Sequence, residues 1–308
     1  MASVPVSRAG VRGWRHDDGT PGVVFETFDA LDLDDPFGPR KVHLMLPEAP
    51  TAEPLPLVVL QDGDTTFWPG GVGHASWNVA RTVARLQAAG RLPPIAIAAV
   101  CPRVRDEEYT HVDWRDGQAP WGGLDRYAAW TAGSLVPWLR EAHPELDRRR
   151  EAVAVAGSSH GGLAAFRIAT SYPETFGIAG CLSPSFFSGL DDLDRGLRSP
   201  SLEASDLVVR AAPVLADPSR RPRLWIDWGM RRDGGHHNAI VEALAALRGA
   251  EMAELLERRF GARITRIDGA ERGPRDADVV VLVDRSGGHD ERAWEHRAGL
   301  FLETFFGR

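Results

Sequence analysis

Residues 157–162, GSSHGG, combine residue types and spacing that suit nucleophilic catalysis. They contain the pattern Gly-x-Ser-x-Gly, follow the apolar run 152–156 and precede an apolar stretch that begins a predicted helix. Strand, glycine-flanked serine and helix form a nucleophile elbow, a tight turn that exposes the serine hydroxyl at the edge of a sheet. The pattern predicts that Ser159 is a catalytic nucleophile. The amide of His160, at the helix N-terminus, would then stabilise an oxyanion.

A serine nucleophile needs a base, and His289 is the best placed of ten histidines. It lies in the segment SGGHD at 286–290, directly after the last predicted strand, and therefore at the same edge of the sheet as Ser159. His296 should lie on the closing helix as a surface residue. The pair His236-His237 has no third ligand at metal spacing, so we predict no metal site and no cofactor.

The acid that orients the histidine should follow the strand 223–228. Asp233, in the loop after that strand, is the first candidate because a loop carboxylate can reach back to the imidazole. Asp227 is the alternative, since it lies on the strand itself and could point toward the histidine if the strand ends early, and an acid elsewhere in the chain stays open. Either acid would fix the imidazole tautomer and stabilise the imidazolium that forms during attack.

The loop after the apolar run 56–60 is the expected source of the second oxyanion donor. Gly63 allows the amides of this loop to turn toward a substrate carbonyl, and we predict a donor at or just after Asp64. Tryptophans in loops or near strand ends could line the substrate pocket, with Trp68 and Trp121 the chosen candidates and Trp77 and Trp114 beside them. The arginines that could meet an anionic ligand are Arg103, Arg105, Arg115 and Arg126.

These residues sit in an alternation of predicted strands and helices. The predicted strands cover 23–28, 41–46, 56–60, 95–100, 152–156, 223–228 and 278–283. The predicted helices cover 77–89, 125–142, the stretch after residue 160, 238–247 and 294–306. Such alternation predicts an α/β fold with a mostly parallel sheet covered by helices on both faces.

Composition predicts one globular domain. We expect an N-terminal extension over 1–21 and a single domain over 22–308, with 1–20 and 250–276 as accessory or loosely packed parts. The net charge of -7 argues against a nucleic-acid surface. The N-terminus lacks the apolar segment of a signal peptide and no run approaches a membrane span, so a soluble, cytoplasmic protein is expected. The two cysteines, Cys101 and Cys181, read as reduced core residues.

Four stretches resemble the esterase D and enterochelin (siderophore) esterase group of α/β-hydrolases. They are PLVVLQDGD at 56–64, RDEEY at 105–109, AVAGSSHGGLAAFRIATSYPETFG at 154–177 and GGHDERAW at 287–294. The resemblance implies an α/β-hydrolase fold, with Ser159 as nucleophile, His289 as base and Asp233 as acid. The chain order of serine, acid and histidine is also that of α/β-hydrolases.

Three functional hypotheses follow. The first is a serine ester hydrolase that forms an acyl-enzyme and acts on a small-molecule ester, as the resemblance to siderophore esterases implies. The second is an acyltransferase on the same fold, in which an alcohol replaces water. The third is a non-catalytic binding protein on a hydrolase scaffold, against which the paired contexts of Ser159 and His289 argue. No nucleic-acid or membrane partner is expected, and a homo-oligomer is left open.

Overall fold

One sheet of eleven strands forms the centre of the part of the chain that the structure describes. In this computed structural model the described residues are 3–71, 74–112, 121–191, 201–269 and 272–308. The strands are β1 (Val4–Arg8), β2 (Val11–His16), β3 (Val23–Leu31), β4 (Arg40–Pro47), β5 (Leu57–Gln61), β6 (Ala96–Val100), β7 (Val153–Ser158), β8 (Ile178–Leu182), β9 (Arg223–Gly229), β10 (Ile264–Ile267) and β11 (Val279–Asp284). Their order is β1-β2-β3-β4-β6-β5-β7-β8-β9-β11-β10. Pairing is antiparallel from β1 to β6 and parallel from β6 to β10.

Helices cover both faces of this sheet, as the alternating pattern predicted. They are α1 (Gly63–Thr66), α2 (Val79–Ala88), α3 (Arg105–Tyr109), α4 (Leu124–Trp130), α5 (Val136–Ala142), α6 (His160–Ser171), α7 (Asp206–Leu215), α8 (His236–Phe260) and α9 (Glu291–Phe306). One buried cluster includes Phe166 of α6 and Met252 of α8, and a second includes Val83 of α2 and Phe301 of α9. Within the described ranges, no helix has both the length and the apolar character that crossing a membrane requires.

The central parallel strands position the chemistry. Every residue of β5, β6, β7 and β8 is buried, which explains why their sequences are largely apolar rather than alternating between apolar and polar residues. Because parallel strands end at the same edge of a sheet, the segments after β5, β7, β9 and β11 meet there. That edge carries the residues that the sequence singled out.

The structure adds elements that the sequence pattern did not predict. Residues 4–16 form the hairpin β1–β2, which adds two strands to the sheet beside β3. This segment is therefore regular structure and not loosely packed. Strand β8 was missed because Gly180 interrupts a short apolar run. Helix α8 continues to Phe260 and β10 follows it, so much of the stretch 250–276 is regular structure. The division of the chain at residue 21 stays a prediction.

A buried carboxylate ties the N-terminal hairpin to the sheet. Glu26 of β3 is fully buried and accepts hydrogen bonds from Arg8 at 2.8 Å and Arg15 at 3.2 Å, one from each strand of the hairpin. The His143 imidazole lies 3.3 Å from the same carboxylate. Burial alone would raise the pKa of Glu26, but the hydrogen bonds from Arg8 and the nearby His143 imidazole outweigh it and lower this pKa to about 2.

Glu26 should therefore make the fold sensitive to acid. A lowered carboxyl pKa stabilises the native state above the unfolded value, so this contribution, roughly 3 kcal/mol, is lost as pH falls from about 4.5 to about 2. We expect Glu26→Gln to lower the free energy of unfolding at about pH 7 and to flatten its fall in that acid window. Urea titrations of wild type, Glu26→Gln and the exposed-site control Glu48→Gln test this. Equal acid sensitivity in wild type and Glu26→Gln would contradict it.

Candidate active site

Ser159 occupies a strained turn between β7 and α6. Its backbone has φ 54° and ψ -121°, a conformation that non-glycine residues rarely adopt and that is found at nucleophile elbows. Its amide donates to the Leu182 carbonyl at 2.9 Å, which anchors the turn. A side chain at Gly157 would come within 2.6 Å of the Gly161 backbone carbonyl, so the first glycine of the motif is required by packing.

The Ser159 hydroxyl and the His289 ring face one cavity of about 470 Å³. The Ser159 Oγ lies 3.2 Å from the Ser185 Oγ, and the Ser185 amide donates to the Ser159 carbonyl. No hydrogen bond joins Ser159 to His289 among the residues described. Nucleophile–base contacts are often long in unliganded enzymes and shorten when substrate binds. The two residues are thus on the same cavity, as their positions after β7 and β11 predicted.

The acid that contacts His289 is Glu242, and not Asp233. The His289 Nδ1 lies 2.6 Å from the Glu242 Oε2, at the second turn of α8. Asp233 lies in the preceding loop with 71% of its side chain exposed, and it pairs with Arg231 at 2.6 Å. The prediction of Asp233 as the partner of His289 is wrong for this structure, because the loop carboxylate faces solvent while the helix carries Glu242 beneath the imidazole.

Glu242 is held as a buried carboxylate. Its side chain has no exposure, and its Oε1 accepts from the Ser183 hydroxyl at 3.0 Å and from the Gly229 amide. Burial alone would raise the pKa of Glu242, but the hydrogen bond and charge of His289 and the charge of Arg297 lower it below its ordinary value. The side chain is therefore suited to accept a hydrogen bond from Nδ1 and to stabilise an imidazolium.

Asp227, the alternative acid, has other partners. It is fully buried in β9, where its Oδ1 accepts from Arg297 at 2.7 Å and from the Ser183 amide at 3.0 Å. Its Oδ2 accepts from the Trp225 indole at 2.6 Å. Burial raises the pKa of Asp227, against the opposing charge of Arg297. Asp227 therefore contacts Arg297 and Ser183, and no hydrogen bond joins it to His289 among the residues described.

The loop after β5 forms another wall of the cavity. Asp62 has a left-handed backbone, φ 57° and ψ 52°, and its carboxylate accepts two bonds from Arg105 at 2.6 and 2.8 Å. Its amide donates to the Tyr109 hydroxyl at 3.1 Å. Arg105 and Tyr109 belong to the RDEEY stretch, which therefore braces this loop. Asp64 follows in α1 and lines the same cavity as Ser159, and its amide as second oxyanion donor stays a prediction.

His160 begins α6 directly after the nucleophile. Its Nδ1 lies 3.6 Å from an Asp106 oxygen, and the Trp121 ring packs edge-on against its imidazole at 5.2 Å. Burial lowers the pKa of His160, against the effect of Asp106. Its position at the N-terminus of a twelve-residue helix is the one that the oxyanion prediction requires. The role of its amide stays a prediction.

The tryptophans divide into two groups. Trp68 packs against Phe25 at 4.9 Å and donates to Asp18 at 2.8 Å, and it is not among the residues that line the cavity of Ser159. Trp77 and Trp294 line the cavity instead, with Trp294 edge-on to His289. Trp121 contacts His160, and its place in the pocket stays a prediction. Trp114 lies outside the described residues.

The structure describes most of the histidines and arginines that the sequence offered as ligand-binding candidates. Among the described residues, no group of three or more histidines, cysteines, aspartates and glutamates is placed to hold a metal ion. His236 and His237 begin α8, and His237 lies at the cavity. Of the arginines, Arg105 lines the cavity but is paired with Asp62, and Arg126 is paired with Glu107. Arg115 lies outside the described residues.

Comparison with known proteins assigns the chain to a family. The sequence profile of the family described as "Putative esterase" matches residues 37–297. The chain belongs to this esterase family. A curated relative of this family member is the iron(III) salmochelin esterase of Escherichia coli O6:H1 (strain CFT073), with 32% identity over 154 residues. The alignment covers 48% of this chain and 32% of that relative, so the chain spans about a third of its length.

Solved structures share the fold of this family member. The enterobactin esterase FES from Shigella flexneri, in the presence of enterobactin, has 17% identity and a TM-score of 0.62, covering 99% of this chain and 58% of that one. The siderophore hydrolase EstA from Aspergillus nidulans has 15% identity and a TM-score of 0.64, covering 92% and 94%. These likenesses confirm the α/β-hydrolase fold, and the family profile and the salmochelin esterase confirm the resemblance that the four motifs indicated.

Glu242 is the site residue that the sequence reasoning missed. It lies inside a helix that the sequence did predict, among the buried residues Val241, Leu244 and Ala245. A lone acid on the apolar face of a predicted helix is costly to bury without a partner, so it indicates a paired carboxylate. That signal was available in the sequence.

Proposed function

We propose that this esterase-family chain is a serine ester hydrolase with the triad Ser159, His289 and Glu242. The observation that carries the proposal is the 2.6 Å contact between the His289 Nδ1 and the buried Glu242 carboxylate, on the cavity that Ser159 also lines. With Nδ1–H donating to Glu242, the Nε2 of His289 is the nitrogen left to accept a proton. This is the arrangement that activates a serine hydroxyl.

Acylation follows from these roles. The Ser159 Oγ attacks the ester carbonyl carbon while His289 takes the hydroxyl proton, and the carbonyl oxygen becomes an oxyanion. The amide of His160 and the amide of Asp64, in α1 directly after β5, stabilise this oxyanion, each contributing on the order of 3 kcal/mol in comparable sites. Collapse of the intermediate expels the alcohol, which takes its proton from His289. The acyl group remains on Ser159.

Deacylation repeats the same steps with water. His289 takes a proton from water, the hydroxide attacks the acyl carbonyl, and Ser159 leaves with the returned proton. Glu242 stays ionised throughout, because the lowered pKa that its partners confer keeps it a carboxylate. The product is a carboxylic acid, and the free serine is regenerated.

The substrate class that we propose is a siderophore ester. The relatives that share the family or fold carry printed names as esterases or hydrolases of salmochelin, enterobactin and siderophores. The indole rings of Trp77 and Trp294, 5.8 Å apart, give the cavity an aromatic wall suited to a ring-bearing ester. Arg105 is already neutralised by Asp62 and does not provide an unpaired cation for this ligand.

Incubation with metal-free and ferric enterobactin tests this proposal, with products followed by mass spectrometry. We expect 2,3-dihydroxy-N-benzoyl-serine or its linear oligomers from wild type and none from Ser159→Ala. p-Nitrophenyl butyrate is the parallel, generic ester. Cleavage of that ester without cleavage of enterobactin would reject the siderophore class and keep the hydrolase. Cleavage of neither, by folded protein, would contradict the hydrolase assignment itself.

A further inference from the structure

A buried arginine lies behind the proposed base. Arg297 of α9 has no exposed side-chain area. Its Nη1 donates to the Asp227 Oδ1 and to the Ser183 Oγ, each at 2.7 Å, and its Nη2 donates to the Gly288 carbonyl. The guanidinium therefore joins β9, the turn after β8 and the loop after β11 at one point.

Two of these contacts bear directly on His289. Gly288 precedes His289, so a bond to its carbonyl restrains the backbone that carries the imidazole. Ser183 passes the restraint to the acid, since its hydroxyl accepts from Arg297 and donates to the Glu242 Oε1 at 3.0 Å. The guanidinium is also 3.8 Å from that same Glu242 oxygen. One side chain thus holds both members of the His289–Glu242 pair.

The charges around Arg297 explain why a cation is needed there. Three carboxylates surround it, Asp227 on β9, Asp284 at the end of β11 and Glu242 on α8, at 2.7, 3.5 and 3.8 Å. Asp284 in turn accepts from the Gly287 amide at 2.8 Å, within the same loop that bears His289. Without the guanidinium, these buried carboxylates would lack their shared counter-charge.

We propose that Arg297 is a positioning residue for the reaction of Ser159: it fixes the Gly288–His289 backbone and, through Ser183, the Glu242 carboxylate. The inference rests on the proposed function. Arg297 is not among the residues that line the cavity, and it acts through its neighbours rather than on the substrate. Its loss should therefore reduce the chemical step and leave substrate binding nearly unchanged.

The variants to compare are Arg297→Met, Arg297→Lys and a matched control, Arg221→Met. Arg221 is also buried, and it donates to the Leu215 and Phe260 carbonyls at 2.7 and 2.6 Å. It lies just before β9, at the end of the parallel strands that is opposite to the site. The rate of phosphonylation of Ser159 by a fluorophosphonate reports base activation. The kcat and KM for p-nitrophenyl butyrate and the Tm complete the set.

We expect Arg297→Met to lower kcat and the phosphonylation rate by about 10²-fold with KM within about threefold. Arg297→Lys, which keeps the charge but cannot span the same acceptors, should lose about 10-fold. Arg221→Met should lower Tm but keep kcat within about threefold. Adding Arg297→Met to Glu242→Gln should cost little more than Glu242→Gln alone, because both act through His289.

Wild-type kcat in folded Arg297→Met, or fully additive losses with Glu242→Gln, would overturn the positioning role. If Arg297→Met does not fold, Arg297→Lys decides in the same way: a wild-type kcat overturns the proposal and a loss at unchanged KM supports it. Failure of the proposed function is a separate outcome. It would appear as wild-type protein that neither reacts with the fluorophosphonate nor cleaves the ester.

Discussion

Ser159→Ala is expected to lower kcat/KM for ester hydrolysis by at least about 10³-fold, and His289→Ala by a similar factor. The double variant should lose little more than either single variant, because nucleophile and base act as one unit. The residual rate would come from binding and oxyanion stabilisation alone. Initial rates with p-nitrophenyl butyrate, measured on folded protein below its Tm, provide the comparison.

Ser188→Ala is the matched control for the serine variant. Ser188 is a buried serine close in sequence to Ser185, and its hydroxyl has no hydrogen-bond partner among the described residues. Its removal should change kcat/KM by less than about threefold. If the effects of Ser159→Ala and His289→Ala multiplied in the double variant, the two residues would act independently, and the triad would be contradicted.

Glu242→Gln is expected to lower kcat by about 10³-fold, whereas Asp233→Asn should stay within about twofold of wild type. Glutamine keeps the shape of the side chain but removes the charge that stabilises the imidazolium, and its amide favours the wrong imidazole tautomer. Asp233 is largely exposed and paired with Arg231, so its charge has no role at His289 in this geometry. The measurement is kcat for the same ester across the three proteins.

The Asp233→Asn variant is the internal control, since it makes the same chemical change at the rival position. A large loss in Asp233→Asn with full activity in Glu242→Gln would restore the loop acid as the partner of His289. Equal, small losses in both would mean that His289 works without either acid. The expected ordering distinguishes all three arrangements in one experiment.

Local pattern was sufficient to predict the sheet edge at which the site lies. The GSSHGG turn after an apolar strand and the SGGHD loop after the last strand placed Ser159 and His289 on one edge, and both line one cavity in the structure. The central strands can be predicted from their apolar runs, because strands buried on both faces tolerate few polar residues. Their catalytic roles are still predictions that the variants above test.

The sequence could not predict which side chains meet when helices and strands pack together. Asp233 and Glu242 are nine positions apart, and only the packing of α8 against β9 decides which carboxylate lies beneath His289. The sequence predicts Trp68 to be an aromatic residue in a loop, but it packs against Phe25 at the second buried cluster. The hairpin β1–β2 was not predicted because its strands are partly exposed and mix polar with apolar residues.

Labelling with a fluorophosphonate, followed by peptide mapping, tests the central claim most directly, since it reports an activated serine without any assumption about the substrate. Wild type, Ser159→Ala and Glu242→Gln would be compared at equal concentration. We predict an adduct on Ser159 in wild type, none in Ser159→Ala and slow labelling in Glu242→Gln. No adduct on folded wild-type protein, or labelling that is as fast in Glu242→Gln as in wild type, would contradict the triad.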